Sequence, residues 1–189
     1  MIEPNPEVVI NGKYHLKNFK SKNLKYYNYC FTNKNQKRLN FYIPDGLYSN
    51  HSGQGSIINY NKIYKPERNG IRNYTGRTIR SQFKKIKVKN IKGDTFVKRK
   101  KIKKLDFIKI DCEGSDYEVF KGLNKTIKKY RPIVYMEFFK KEQIYLKKIL
   151  LFANSNNYSL FNCAKNKLKK IKYLHKNYSS HFYLISNSK

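Results

Sequence analysis

The sequence of 189 residues has no tryptophan, two methionines, five prolines, three cysteines and few acidic residues. Twelve Asp and Glu residues stand against 42 Lys and Arg residues, which gives a formal net charge of +30. The cysteines Cys30, Cys112 and Cys163 are widely spaced and odd in number, and they form neither a CxxC pair nor a Cys/His cluster with zinc spacing. The sequence therefore excludes a disulfide scaffold and predicts no metal site.

A long apolar run is also absent. The longest apolar segment, Ile149–Ala153, is far shorter than the roughly 18 residues that a membrane helix needs. The N-terminal residues Met1–Pro6 have neither the basic start nor the apolar core of a signal peptide. We therefore expect no membrane partner and a cytoplasmic location, in the host cytosol if the protein is viral. The length and the 39% hydrophobic content predict one domain, 1–189, with a real core.

The excess of positive charge indicates attraction to polyanions, and the basic run Lys98–Lys104 with nearby tyrosines is typical of nucleic-acid binding. However, 35 of the 42 basic residues are lysine, whereas phosphate and base recognition favour the planar fork of arginine. The chain is also rich in Asn, Ile and Tyr, and A/T-rich codons would enrich all of these residues on any solvated surface. Nucleic acid is therefore not the expected partner, although it stays an alternative.

Local patterns in the first half predict mixed structure. Apolar spacing predicts a helix over Val8–Phe19, and aromatic and apolar residues predict strands over Lys25–Phe31 and Arg38–Ile43, joined as a hairpin. Residues 44–80 are rich in Gly, Ser, Asn and Pro and predict a long polar loop, which suggests function or disorder. A strand over Phe83–Val88 and a short helix capped by Asp94 follow.

The second half has the clearer pattern. It predicts a mid-sheet strand over Leu105–Ile110 and then a helix over Asp116–Tyr130, which Arg131-Pro132 ends. A strand over Ile133–Phe138 and a helix over Lys141–Ser155 follow. Two short strands, Tyr158–Phe161 and His181–Ile185, complete the pattern. This alternation is typical of half of a doubly wound α/β sheet, which binds its ligands beyond the carboxyl ends of its strands. Asp111, Glu113 and Glu137 lie at those ends.

Several segments together resemble a known family. The family pattern has a strand that ends in Lys-x-Asp-x-Glu-Gly, then a helix with a glycine at its middle, then a strand that starts after proline and ends in Glu. In this sequence the motif is Lys109, Asp111, Glu113 and Gly114, the helix glycine is Gly122, and the second strand has Pro132 and Glu137. Glu3-Pro-Asn-Pro6 and Asn28–Thr32 match two earlier segments of the same pattern. In these residues the chain resembles the FkbM-type S-adenosylmethionine-dependent methyltransferases. The resemblance implies a Rossmann-like class I methyltransferase sheet with the strand order 3-2-1-4-5-7-6.

The resemblance implies S-adenosylmethionine as cofactor and a small-molecule acceptor, a sugar or other metabolite methylated on oxygen. Glu3 would accept hydrogen bonds from the ribose hydroxyls, with Asn5 and Cys30 in the same cofactor-binding region, and an exposed N-terminal coil is the alternative for Glu3. Asp111 would act as base or orient the acceptor. Lys109 alternates with Ile108 and Ile110, so it either points into the site or pairs with a carboxylate.

Three further residues have two interpretations each. Glu113 either takes part in catalysis or caps the following helix, and Glu137 either lines the acceptor pocket or pairs with a surface lysine. His51 is either a base that contacts the acceptor from a covering loop or an exposed loop histidine.

The glycine-rich turn of the family, an Asp-x-Gly-x-Asn-x-Gly pattern, does not occur in the sequence. It would precede Glu3 by about 20 residues. We therefore expect a sheet that lacks its first strand and helix, incomplete at the N-terminus, with an exposed apolar edge open to self-association or a complementing chain. A catalytically inactive remnant or an interaction protein of the same fold is the alternative to an active enzyme.

Overall fold

The structure is a computed structural model of the chain, and it describes residues 1–18, 23–44, 55–58, 71–72, 78–79, 83–138, 142–165, 167–174 and 178–187. Most of the predicted polar loop at 44–80, including His51, lies outside these residues. Within that stretch, Ser56 bridges to Tyr42, and Ile71–Arg72 pairs with Thr78–Ile79.

The helices and strands follow the sequence patterns in kind and differ at several boundaries. The helices are α1 (Pro6–Asn18), α2 (Gly93–Arg99), α3 (Asp116–Gly122), α4 (Asn124–Tyr130) and α5 (Leu146–Ser155), and a 3-10 turn at Glu142–Tyr145 precedes α5. The strands are β1 (Cys30–Thr32), β2 (Arg38–Pro44), β3 (Ile71–Arg72), β4 (Thr78–Ile79), β5 (Phe83–Lys92), β6 (Phe107–Ile110), β7 (Ile133–Glu137), β8 (Tyr158–Ala164), β9 (Lys167–Lys170) and β10 (His181–Ser186). Strand β9 was not predicted. No helix among the described residues is long and apolar enough to cross a membrane.

The chain divides into two compact units, one formed by Met1–Phe31 and Asn35–Ile91 and the other by Thr32–Lys34 and Lys92–Lys189. The first unit contains α1 and a sheet with the order β1-β5-β2. The predicted hairpin of the first two strands is therefore wrong, because β5 lies between them and pairs antiparallel with β2, with Phe41 opposite Ile86. Cys30, Phe41, Ile43 and Val88 are buried together as the core of this sheet. The gain from burying these apolar side chains outweighs the local preference for a hairpin.

The chain start forms an extended segment of the first unit. Ile2 bridges Tyr27 in parallel, with Tyr27 N donating to Met1 O (2.9 Å) and Glu3 N donating to Tyr27 O (3.1 Å). Asn28 then fastens the next residues, because its Nδ2 donates to the carbonyls of Glu3 (3.1 Å) and Pro4 (2.8 Å). Glu3 is thus held at the end of an extended segment and directly before α1.

The second unit is built on a sheet with the order β6-β7-β10-β8-β9. Strands β6 and β7 are parallel, and β10 is antiparallel to both of its neighbours, β7 and β8. Residues alternate between the faces, so that Val134, Met136, Phe182 and Leu184 are fully buried while Tyr135 and the other odd-numbered residues of β7 and β10 are half-buried.

The apolar sequence of β6 predicted a strand in the middle of the sheet. In the structure, β6 is instead at one end of the sheet order. Ile110 is buried, whereas the Phe107 side chain at the start of the strand is 54% exposed. Within the described part of the chain, β6 therefore has a paired neighbour, β7, on one side only. This agrees with the expected sheet edge.

The helix predicted over Asp116–Tyr130 is two helices, α3 and α4, which meet at Leu123. Gly122 ends α3 where the backbone of Thr32 approaches so closely that a Cβ at position 122 would lie 2.2 Å from the Thr32 carbonyl oxygen. Any side chain at position 122 would clash with this backbone, which explains the glycine. The prediction placed Gly122 at the middle of a helix, whereas it is the last residue of α3. Arg131 then ends α4 in the left-handed conformation, with φ of 52°.

Asp94 does not cap α2 as predicted. It is inside the first turn of that helix, whose N-cap is Lys92. Its carboxylate instead accepts hydrogens from the amide and hydroxyl of Thr126 in the first turn of α4. Helices α2 and α4 pack together, so the amides at the start of α4 lie within hydrogen-bond distance of this carboxylate.

Candidate functional site

Three strand ends meet at one edge of the second unit. Because β6 and β7 are parallel, their carboxyl ends lie side by side and lead into Asp111 and Glu137. Strand β10 runs the other way, so its first residue, His181, lies opposite Glu137. The predicted residues Asp111, Glu113 and Glu137 lie at this edge, and Lys109 lies on β6 two residues before Asp111. His51 lies outside the described residues.

Lys109 on β6 and Asp111, which directly follows β6, form an ion pair, with Lys109 Nζ 3.0 Å from Asp111 Oδ2. The pair is solvent-accessible, with 58% and 38% of the two side chains exposed. The hydrogen bond to Asp111, and then its charge, raises the pKa of the Lys109 ammonium. One oxygen of the Asp111 carboxylate is therefore engaged by a cation, and the carboxylate is fixed at the edge of the sheet.

The turn after β6 reverses the chain sharply. Glu113 and Gly114 both have positive φ, 47° and 87°, a conformation that glycine adopts freely and glutamate does not. The buried Asp116 carboxylate stabilises this turn, because its Oδ1 accepts the amide hydrogen of Cys112 at 3.0 Å. The Lys-x-Asp-x-Glu-Gly motif thus builds a strand-to-helix turn that presents its acidic side chains together.

Glu113 lies close enough to the other two carboxylates to interact with them. Burial raises the pKa of Glu113 first, and the charges of Asp111 and Glu137 raise it further. A carboxylate that capped a helix would accept amide hydrogens, and its pKa would be lowered. The raised pKa of Glu113 means that it holds a proton more tightly than an ordinary glutamate, which suits a general base.

Three residues at this edge were missed by the sequence analysis: Tyr135, Ser180 and His181. A hydrogen bond of 2.7 Å joins Tyr135 Oη on β7 and His181 Nδ1 on β10, and its direction depends on the imidazole tautomer. Ser180, next to His181, donates weakly from Oγ to Glu137 Oε1 at 3.5 Å. The expected strand order was a signal for His181, because it places the start of the last strand beside the end of β7.

The first unit brings Glu3, Asn5 and Cys30 together. Asn5 N donates to Glu3 Oε1 at 2.8 Å, and the charge of Glu3 contributes, after burial, to raising the pKa of the Cys30 thiol to about 12. Burial also raises the pKa of Glu3, against the lowering effect of the Asn5 amide. Asn5 has a second structural role, since its Oδ1 accepts from Glu7 N (3.0 Å) in the first turn of α1.

Asn5 leaves a buried donor without a protein partner. The residue is 2% exposed, and its Nδ2 has no hydrogen-bond partner among the described residues. A buried amide nitrogen of this kind costs free energy unless a bound group or a water accepts from it. Together, Glu3 and Asn5 offer carboxylate acceptors and an amide donor, which fit a ligand with adjacent hydroxyl groups.

The described residues contain no group of three or more His, Cys, Asp or Glu side chains arranged to hold a metal ion. The side chains described at the edge of the second unit are carboxylates, an ammonium group, a phenol and an imidazole.

The order β6-β7-β10-β8, with β10 antiparallel between its neighbours, defines a class: it is the 4-5-7-6 half of a Rossmann-like class I methyltransferase sheet. Residues 1–160 match the methyltransferase FkbM domain, and the chain belongs to this family. A crystal structure of methyltransferase FkbM from Methylobacillus flagellatus KT has a similar fold, with a TM-score of 0.53 and 12% sequence identity. The similarity covers 97% of this chain and 35% of that one, so the chain spans about a third of that protein's length. No curated protein matches the sequence.

Proposed function

We propose that the chain carries out S-adenosylmethionine-dependent methyl transfer to a hydroxyl oxygen of a sugar or other small metabolite. The observation that carries this proposal is the group of Lys109, Asp111, Glu113 and Glu137 at the carboxyl ends of β6 and β7. Membership of the FkbM methyltransferase family supports the reaction type. The acceptor class rests on the chemistry of these side chains, because carboxylates bind hydroxyl groups by accepting their hydrogens.

The cofactor would supply an electrophilic methyl group on a sulfonium centre. Glu3 and Asn5 are the residues that fit its ribose, because a carboxylate accepts from hydroxyls and the buried Asn5 Nδ2 can donate to a hydroxyl oxygen. Burial strengthens both interactions by lowering the local dielectric. Cys30 lies near Glu3 but is packed in the sheet core, so we assign it to shaping this region rather than to direct contact.

Glu113 is the group that we assign to accept the proton of the reacting hydroxyl. Its raised pKa lets it hold that proton as the new carbon–oxygen bond forms. Asp111 orients the same hydroxyl, since its carboxylate pairs with Lys109 through Oδ2 and has a second oxygen that can accept a hydroxyl hydrogen. Glu137 adds a second acceptor for a neighbouring hydroxyl and raises the pKa of Glu113 through its charge.

The experiment that tests the proposal measures transfer of labelled methyl groups from S-adenosylmethionine to a panel of monosaccharides and small alcohols. We expect turnover by the parent chain and a loss of about 10²-fold or more in kcat for Glu113→Gln, with Glu118→Gln as an active control on the neighbouring helix. Absence of transfer by a folded parent chain with every acceptor would contradict the proposal. That result would favour an inactive member of the same fold.

A further inference from the structure

Tyr135 and His181 form a side-chain pair at the edge of the second unit. They lie on the neighbouring strands β7 and β10, where His181 is opposite Glu137 and Tyr135 is opposite Tyr183. Their side chains share one face of the sheet, because directly opposed residues and residues two apart point the same way. Tyr135 Oη and His181 Nδ1 are 2.7 Å apart, and the two rings lie 6.0 Å apart at 18°.

The groups around this pair come from each neighbouring strand. Strand β6 contributes Lys109, whose Nζ lies 5.9 Å from the centre of the Tyr135 ring, and Asp111 follows at its end. Strand β7 contributes Glu137. Strand β10 adds Tyr183, 5.0 Å from Tyr135 between ring centres, and β8 contributes Asn162, which donates from Nδ2 to the His181 carbonyl (2.9 Å). The carboxylates of Asp111 and Glu137 thus lie at the same strand ends as His181.

The Tyr135 phenol can supply the hydrogen of this bond. Burial raises the pKa of Tyr135, the charge of Glu137 raises it further, and Lys109 opposes this in part. The phenol thus keeps its hydrogen, and Oη can donate it to His181 Nδ1 in the tautomer in which Nδ1 accepts. A neutral imidazole has one N–H group, so an accepting Nδ1 leaves the hydrogen on Nε2.

We propose that His181 is an acceptor-binding residue of this site, whose Nε2–H donates to a substrate oxygen adjacent to the reacting hydroxyl, and that Tyr135 positions it by fixing this tautomer. The inference rests on the proposed methyl transfer and adds a substrate contact to it. The contact is to the adjacent oxygen, because a hydrogen bond donated to the reacting oxygen would make it a poorer nucleophile. The reacting proton still goes to Glu113.

Nuclear magnetic resonance of the full chain labelled with nitrogen-15 tests the tautomer without any turnover. Long-range proton–nitrogen correlations of the imidazole rings distinguish Nε2–H from Nδ1–H, and His181→Gln identifies the signals of His181. We expect Nε2–H in the parent chain and a mixture of tautomers in Tyr135→Phe, which keeps the ring and loses the hydroxyl. An Nδ1–H tautomer in the parent chain overturns the inference.

Kinetics with the same monosaccharide panel test the contact itself. In His181→Leu we expect the KM for the acceptor to rise about three- to tenfold, the loss of one hydrogen bond, with unchanged affinity for S-adenosylmethionine. His181→Gln, which keeps an N–H group near the position of Nε2, should stay close to the parent. A His181→Gln chain that loses kcat as much as His181→Leu would make His181 a base and overturn the proposal.

The failure of this inference differs from the failure of the proposed function. An active parent chain whose KM is unaffected by His181→Leu overturns the assignment of His181 alone. A parent chain that transfers no methyl group to any acceptor overturns the methyl-transfer proposal, and the substrate contact of His181 with it.

Discussion

The Asp94 carboxylate accepts hydrogens from both the amide nitrogen and the hydroxyl of Thr126, each at 2.8 Å from Asp94 Oδ1. Its other oxygen accepts weakly from Lys125 N (3.4 Å) and pairs with Lys92 Nζ (3.5 Å). An acidic residue in the first turn of α2 thereby satisfies the free amides at the start of α4. The two helices that precede β6 and β7 are joined by this contact.

Asp94→Ala should destabilise the fold by about 1–2 kcal/mol, because the first turn of α4 loses its acceptor. Asp94→Asn should lose less, since an amide oxygen can still accept from Thr126. The free energies of unfolding in urea give the comparison. Asp106→Ala is the control, as the exposed Asp106 pairs with Lys104 at the surface and should be nearly neutral. Equal stabilities of Asp94→Ala and Asp106→Ala would contradict the role of Asp94 as the acceptor for the first turn of α4.

Gly122→Ala should destabilise by about 1–3 kcal/mol, because the added methyl group would lie 2.2 Å from the backbone oxygen of Thr32. Gly93→Ala is the matched comparison. Its methyl group would meet the side chain of Leu123, at 2.5 Å from Cδ2, which can rotate away where a backbone cannot. Thermal unfolding of the two variants should therefore rank Gly122→Ala as the less stable, and the reverse order would show that Thr32 can move.

Glu113→Gln should stabilise the fold at about pH 7.5, and the gain should vanish near pH 4. The folded pKa of Glu113 is raised above its ordinary value of 4.5, so both states bind the proton at pH values below that value. As the pH rises through the raised folded pKa, the folded state must give up a proton that it holds more tightly, and stability falls. The neutral glutamine avoids this loss.

The melting temperatures of parent and Glu113→Gln chains at both pH values measure this effect. Glu118→Gln is the control, because Glu118 pairs with Lys121 on α3 and should show no gain at the higher pH. A Glu113→Gln chain that is less stable than the parent at about pH 7.5 would indicate that the ionised carboxylate stabilises the turn.

Cys30 should resist alkylation in the folded chain. Its thiol is buried, and its pKa is raised to about 12, so almost no thiolate forms at about pH 8. Cys112 and Cys163, which are partly exposed, serve as internal controls. Mass spectrometry after iodoacetamide treatment should find Cys30 unmodified in the native chain and modified in urea. Modification of Cys30 at the rate of Cys163 would contradict its burial.

Much of the second unit could be predicted from the sequence. Each of the strands β6, β7 and β10 has its own apolar pattern in the sequence. Lys109 lies on β6, and Asp111 and Glu113 follow that strand within three positions. The strand order then determines that the carboxyl ends of β6 and β7 lie beside the start of β10. His181 was missed even so, because an isolated histidine at the start of a strand has no local pattern, and only its antiparallel placement beside β7 gives it neighbours.

Long-range pairing limited the prediction elsewhere. The hairpin of β1 and β2 followed from their closeness in sequence, whereas Phe41 pairs with Ile86 on a strand far along the chain. Asp94 has the local pattern of a cap for its own helix, and its partner Thr126 lies on another helix. The steric role of Gly122 likewise depends on Thr32, which no nearby residue reveals. These features depend on which segments pack together.

The central claim is that the chain binds S-adenosylmethionine through Glu3. Titration calorimetry of the cofactor into the parent chain, Glu3→Ala and Glu7→Ala tests it most directly, since Glu7 is an exposed acidic residue on the adjoining helix. The account predicts saturable binding by the parent and by Glu7→Ala, and a loss of about tenfold or more in affinity for Glu3→Ala. No binding by a folded parent chain, or equal affinities of parent and Glu3→Ala, would contradict it.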